Sequence, residues 1–293
     1  MLFFLRWLSR RPLRHLHAIG AALGWLVYAL SPSYRRRLQA NAARAGIADT
    51  LRRQSVAEAG KMVLEGLRLW LRPPDQPIAD PVHWQGEALI EEALAQGRGL
   101  IFLTPHIGSF EVTAQAYAQR FGKLQPITVM YRPARYQMLR ELEESARSRP
   151  ALATAPASIA GIRQMMRALK RGEAVGLLPD QVPPQGMGVW ADFFGAPAYT
   201  MTLAARLAQQ TGAPIVLALC ERLPQGSGFH LRLSPLPEPL PLQAADTQAL
   251  QVAQAEVINR AMQGLILQCP QQYLWGYNRY KVPRSLPAPE AAA

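Results

Sequence analysis

Two cysteines in 293 residues are too few for a disulfide scaffold. Cys220 and Cys269 stand far apart and in no CxxC or metal-ligand spacing, so neither a zinc site nor a redox pair is expected, and both read as buried, reduced thiols. The chain also lacks GxxxxGK and GxSxG, which excludes a phosphate-cradling loop and the strained nucleophile elbow of serine esterases. Internal repeats are absent. Charge is sparse at 18%, against 49% hydrophobic residues, so the chain can bury a large core and is not disordered.

Acidic residues are scarcest at the start. Residues 1–53 hold ten arginines and one aspartate, so nine of the twelve net positive charges lie there. Residues 54–293 have the near-neutral balance of an ordinary globular domain, which argues against a nucleic-acid partner despite the total. Arg6, Arg10, Arg11 and Arg14 precede an uncharged run from Ala18 to Leu30, and Arg35, Arg36 and Arg37 follow it. As a helix that run spans roughly 20 Å, short of the roughly 30 Å hydrocarbon core. No small-residue cleavage site follows, so a removed signal peptide is not expected. Basic flanks on both sides suit a helix lying on or dipping into an anionic leaflet, where each basic residue contributes on the order of 1 kcal/mol. A core helix with a solvated basic rim is the alternative. The expected organisation is a membrane-anchoring helix over residues 1–33, an α/β domain over 34–283 and a disordered tail over 284–293.

Residues 34–72 read as helix, stopped by Pro73 and Pro74. Beyond them, short apolar runs at Leu100 to Leu103, Ile127 to Tyr131, Ala174 to Leu178 and Pro214 to Cys220 suit strands covered on both faces. Helices are expected at Ala88 to Ala95, Phe110 to Phe121, Gln137 to Ala146, Ile159 to Leu169, Met201 to Gln210 and Thr247 to Leu267. The alternation predicts an α/β fold, a mostly parallel central sheet flanked by helices, with the N-terminal membrane-associated helix added.

Polar chemistry appears where the strand Leu100 to Leu103 ends, in the run Thr104, Pro105, His106, Ile107, Gly108, Ser109, Phe110, Glu111. On one helix a five-residue spacing would set His106 and Glu111 roughly 140° apart. Across a strand-to-helix turn, which Gly108 permits, the carboxylate can reach one imidazole nitrogen and leave the other to deprotonate a hydroxyl. The plainer reading makes His106 a loop residue and Glu111 an acid answering a helix dipole. Arg132 follows a predicted strand and fits an oxyanion or a lipid phosphate, or else a surface pair with Glu141 or Glu144. Arg147 and Arg149 fit an acceptor phosphate or a basic helix end. Asp180 and Gln181 lie at a strand end, where α/β sheets place ligand-binding groups, although a cap or turn role is open for Asp180. Trp190, Phe193 and Phe194 fit an acyl groove or an aromatic core. The Pro183 to Gly188 loop has the composition of a lid.

Four blocks, in order, resemble the late acyltransferases of lipid A biosynthesis, within the glycerolipid acyltransferases that carry an HxxxxD or HxxxxE signature. They are Pro105 to Glu111 (PHIGSFE), Tyr131 to Pro133 (YRP), Leu178 to Gln181 (LPDQ) with Phe193 to Thr200 (FFGAPAYT), and Trp275 to Lys281 (WGYNRYK). Ser109 departs from a frequent Asn, and the last block lacks an expected second basic residue or His. The resemblance implies acyl transfer from acyl carrier protein, or less often acyl-CoA, to a hydroxyl on a phosphorylated glucosamine lipid A precursor. It implies direct attack with His106 as base and Glu111 as its orienter, no cofactor and no metal, at the cytoplasmic face of a bacterial inner membrane. The basic N-terminal segment would meet membrane lipids and attract the acidic carrier protein. Glu111 in place of Asp tilts against a lysophospholipid acceptor. Acceptors of the aminolipid or glycolipid type, and a non-enzymatic membrane scaffold, are the alternatives.

Overall fold

A computed structural model describes residues 2–131 and 149–283. Four helices lead, α1 (Leu2–Ser9), α2 (Leu13–Leu30), α3 (Pro32–Arg44) and α4 (Asp49–Trp70). The α/β domain follows as β1 (Val82–Gln85), α5 (Ala88–Gln96), β2 (Leu100–Leu103), α6 (Phe110–Phe121), β3 (Ile127–Tyr131), β4 (Leu152–Pro156), α7 (Ile159–Lys170) and β5 (Ala174–Leu177). A hairpin of β6 (Gly188–Asp192) and β7 (Pro197–Met201) precedes α8 (Leu203–Thr211), β8 (Ile215–Arg222), β9 (Phe229–Pro235) and α9 (Thr247–Gln268).

Seven strands form one sheet in the order β1-β9-β8-β2-β5-β3-β4. Every neighbouring pair is parallel except β8 and β9. The mixed α/β architecture with a mostly parallel sheet is the one the apolar runs predict. β2 and β5 are buried along their whole length because helices cover both faces. Ile101 and Leu103 point into a layer with Met165 of α7, Leu207 of α8 and Ile258 of α9. Leu100 and Phe102 point the other way, onto Ile90 of α5 and Val112 and Tyr117 of α6.

The single helix expected over 34–72 is two. Gly46, at φ +67°, ends α3, and the Ile47 N–H returns to the Ala42 carbonyl. Met201 belongs to β7 rather than to the following helix, and β1, β4, β9 and the hairpin were not foreseen. The helix expected at Gln137 to Ala146 lies outside the described residues.

Glycines seat α2 against α4. A Cβ on Gly60 would stand 1.9 Å from the Gly20 carbonyl oxygen, and one on Gly24 would stand 2.2 Å from that of Val56. Gly60→Ala therefore lowers the melting temperature although alanine is the better helix former, because the obstacle is backbone: overpacking costs about 1–3 kcal/mol, against roughly 1 kcal/mol of propensity. Thermal unfolding checks this; an unchanged or raised melting temperature would contradict the close packing.

No single described helix is long and apolar enough to cross a membrane. The outer face of α2 is nonetheless apolar: Ile19, Leu23, Leu26, Val27 and Leu30 recur at helical spacing and are 42–74% exposed. Trp7 and Trp25 are exposed beside them.

Candidate active site

Adjacent strands β2 and β5 pair Leu103 with Leu177, and the Thr104 N–H extends the ladder to the Leu177 carbonyl. His106 and Asp180 each lie three residues past that last pair, so the sheet brings together side chains 74 positions apart in the chain. Asp180 accepts twice: Oδ1 from the His106 ring at Nδ1, 2.7 Å away, and Oδ2 from the His106 backbone N–H at 3.0 Å.

An ionised carboxylate only accepts, so Nδ1 carries a proton, and in the neutral ring Nε2 is the nitrogen that keeps its lone pair. Asp180 is ionised. Burial alone would raise it, but the His106 ring and backbone N–H, helped by Arg279, hold it below its ordinary value. The ring stands edge-on to Phe110 at 5.0 Å between centroids. At Nδ1 the orienting carboxylate is thus Asp180, not the Glu111 that sequence spacing suggests.

The turn carrying His106 is tied down on several sides. Gly108 adopts φ +55°, where a Cβ would come within 2.1 Å of the Cys220 carbonyl oxygen. Its N–H donates to the Gln272 carbonyl, that of Ser109 to Cys220, and that of Leu274 to the His106 carbonyl. Glu111 opens α6 in its first turn. His106 therefore sits in the loop and Glu111 in the first turn of the helix, on either side of the turn, where both can face one cavity.

They do share one. A pocket of about 320 Å³ is lined by His106, Glu111 and Gln181 together with a mostly apolar wall. The wall comes from Phe110 and Ala114 of α6, Val129, Met130 and Tyr131 of β3, and Ile162 of α7. Ala157, Ser158, Leu177, Leu178, Val182, Pro183, Pro184, Met187, Met201 and Leu203 complete it. Three methionines lend it adaptable shape, since the unbranched thioether fills irregular space. Such a wall with few polar groups is the usual character of a small-molecule site.

Other expected site residues lie elsewhere. Phe193 is 2% exposed, in the core with Trp275. Phe194 packs on both, and Trp190 pairs with Tyr199 across the β6–β7 hairpin. None of the three lines the pocket, whose wall comes instead from the ends of β3 and β5 and the Pro183–Gly188 loop. Arg149 is likewise not a phosphate ligand here: its guanidinium donates to the carbonyls of Leu69, Trp70, Arg72 and Pro73, closing the C-terminal end of α4. Arg132 and Arg147 lie outside the described residues.

Several supporting residues escaped the sequence reading. Arg279, 2% exposed, donates to the Tyr199 carbonyl and the Thr200 hydroxyl, both at 2.7 Å, and lies 4.9 Å from the Phe193 ring centroid. Tyr277 accepts from the Val182 N–H, and Tyr280 donates to the Phe193 carbonyl. The buried Tyr273 hydroxyl is pushed well above its ordinary value, first by burial and then by the Asp180 charge. The WGYNRYK block thus braces the Asp180 loop and the FFGAPAYT hairpin, an association that block order alone hints at without assigning contacts.

The sheet is covered by helices, and a histidine held by a buried carboxylate lines an apolar pocket, an arrangement that suits chemistry on a hydroxyl beside a hydrocarbon chain. The whole chain narrows that class: residues 1–282 match the model of the bacterial lipid A biosynthesis acyltransferases, and the chain belongs to that family. It is similar to the lipid A biosynthesis lauroyltransferase of Escherichia coli (strain K12), 29% identical over 217 residues, 73% of this chain and 67% of that protein. The palmitoleoyltransferase of the same organism is 26% identical over 271 residues, 88% of this chain and 84% of that protein. Lipid A biosynthesis acyltransferase 2 of Shigella flexneri is 26% identical over 229 residues, 78% of this chain and 70% of that protein. Membership carries O-acyl transfer onto lipid A.

Proposed function

We propose that the chain moves a fatty acyl group from acyl carrier protein to a hydroxyl of a lipid A precursor, with His106 as general base. The observation that carries this reading is the Nδ1 bond to Asp180, which leaves Nε2 as a proton acceptor at a pocket apolar enough for an acyl chain. The acceptor oxygen attacks the thioester carbonyl carbon while Nε2 takes the hydroxyl proton. The tetrahedral oxyanion then collapses, the C–S bond breaks, and the imidazolium returns the proton to the departing thiolate.

Asp180 stabilises the imidazolium between these steps. Glu111, the second member of the His/Glu pair and on the same pocket wall, accepts from a neighbouring N–H or O–H of the acceptor lipid, so that the attacking hydroxyl keeps its one proton for Nε2. Gln181 positions the acceptor beside it. Arg132 supplies charge to the oxyanion or to a lipid phosphate.

The exposed apolar face of α2, with Arg35 to Arg37 beyond its end, supports docking on the anionic cytoplasmic face of the inner membrane. The same positive field favours an acidic carrier protein over a neutral donor.

The test is acylation by the full chain, followed by mass spectrometry, with acyl carrier protein and CoA thioesters compared on a tetra-acylated lipid A precursor and a lysophospholipid. One added acyl mass on the lipid A precursor, faster from the carrier protein, is expected. Acylation of the lysophospholipid alone would overturn the acceptor, and a faster rate from CoA would overturn the donor.

A further inference from the structure

Behind the catalytic turn lies a buried ion network that the proposed chemistry does not use. Arg222, the last residue of β8, is 3% exposed. Its Nε and Nη2 donate to the two carboxylate oxygens of Glu65 at 2.7 Å each, and Nη1 donates to Glu58 at 2.7 Å. Nη2 reaches one further acceptor, the carbonyl oxygen of Gly108, at 3.2 Å.

The backbone of Arg222 is held as firmly as its side chain. Its N–H donates to Gln272 Oε1 and its carbonyl accepts from Gln272 Nε2, both at 2.9 Å, while the carbonyl of Gln272 receives the Gly108 N–H at 3.0 Å. Both hydrogen-bonding groups of Gly108, two residues past His106, are thus fixed by one Arg222–Gln272 unit. Glu65 in turn is within 3.2 Å of His17 Nε2, so the network runs from the catalytic turn through α4 to α2, the helix with the exposed apolar face.

Stability alone does not call for this arrangement. A buried ion pair costs so much desolvation that apolar side chains of similar volume are often as stable in its place. What such a replacement cannot supply is a charged N–H aimed at a backbone carbonyl in a turn with positive φ. Arginine's rigid fork can serve a carboxylate and that carbonyl at once, which the single ammonium of lysine cannot do in the same geometry.

We propose that Arg222 is a positioning residue for the acyl transfer, fixing through the Gly108 carbonyl the turn that sets His106 against Asp180, with Glu65 holding the guanidinium in place. The role rests on the reading of His106 as the base. Arg222 does not line the pocket, so its loss slows turnover without weakening substrate binding.

Two variants test this beside His106→Ala. Arg222→Lys keeps the charge and a pair with Glu65. Arg222→Met with Glu65→Gln removes both charges together, leaving Glu58 its Lys61 partner at 2.5 Å and His17 an amide to bond. Thermal unfolding establishes that each is folded, and kcat and KM are measured for both substrates. In each the expected result is a kcat lower by about tenfold to a hundredfold at unchanged KM, the scale of a small misplacement of a catalytic group. Either variant folded and turning over at the wild-type kcat would overturn the proposal. If the double variant does not fold, the lysine variant decides. Full activity in His106→Ala would instead sink the base itself, an outcome readable separately from the Arg222 series.

Discussion

Asp180→Asn is expected to lower kcat by about 10²–10⁴-fold while leaving KM for both substrates nearly unchanged. The carboxylate receives two N–H groups of His106, one on each oxygen. Asparagine has a single oxygen. If that oxygen keeps the backbone N–H, the amide NH₂ turns toward Nδ1, which must then become an acceptor, and the ring proton moves to Nε2. The base is then in the wrong tautomer to take a proton. If the amide is reversed, the NH₂ faces the backbone N–H and the turn itself is pushed away. In either case the imidazolium formed during the reaction loses its counter-charge, the second part of the loss. KM holds because Asp180 is 2% exposed and does not line the pocket. Steady-state kinetics on the purified variant checks this; a raised KM at unchanged kcat would make Asp180 a substrate-binding residue instead.

That carboxylate also marks where the sequence stops being readable. The His106–Glu111 spacing and the apolar run before it place both residues at a strand-to-helix turn. The partner at Nδ1 lies 74 residues on, and finding it requires knowing that β5, rather than β3, lies beside β2. Strand order is set by crossovers that local pattern does not encode. Once β2 and β5 are known to be neighbours in register, the equal three-residue offsets of His106 and Asp180 make the contact predictable.

The elements divide by the same physics. β2, β3, β5 and β8 are central strands, and covering both faces made each a continuous apolar run that stands out in sequence. β1 (VHWQ) is too short to show a period and β4 (LATAP) is a short edge strand of small residues, so neither carries a strong signal, whereas β9 (FHLRLSP) alternates as a half-buried strand should and was legible in the sequence. Phe193 and Phe194 follow the common fate of aromatics, the core, while the pocket wall, Phe110 and Tyr131 apart, is built mostly from aliphatic, proline and methionine side chains that in sequence look like ordinary core. Arg149 illustrates a different gap: a guanidinium can close the end of a helix far away in the chain, and no spacing rule points from position 149 to carbonyls at 69–73.

Turnover of His106→Ala on a lipid A precursor is the measurement that tests the central claim most directly. The alanine removes the only atom assigned to take the hydroxyl proton but leaves the apolar wall, Glu111 and Gln181 to bind substrates. General-base catalysis contributes about 10²–10⁴-fold, and kcat falls by that factor if His106 is the base, with the variant folded and its substrates still bound. A folded His106→Ala protein that acylates the precursor at the wild-type rate would contradict it.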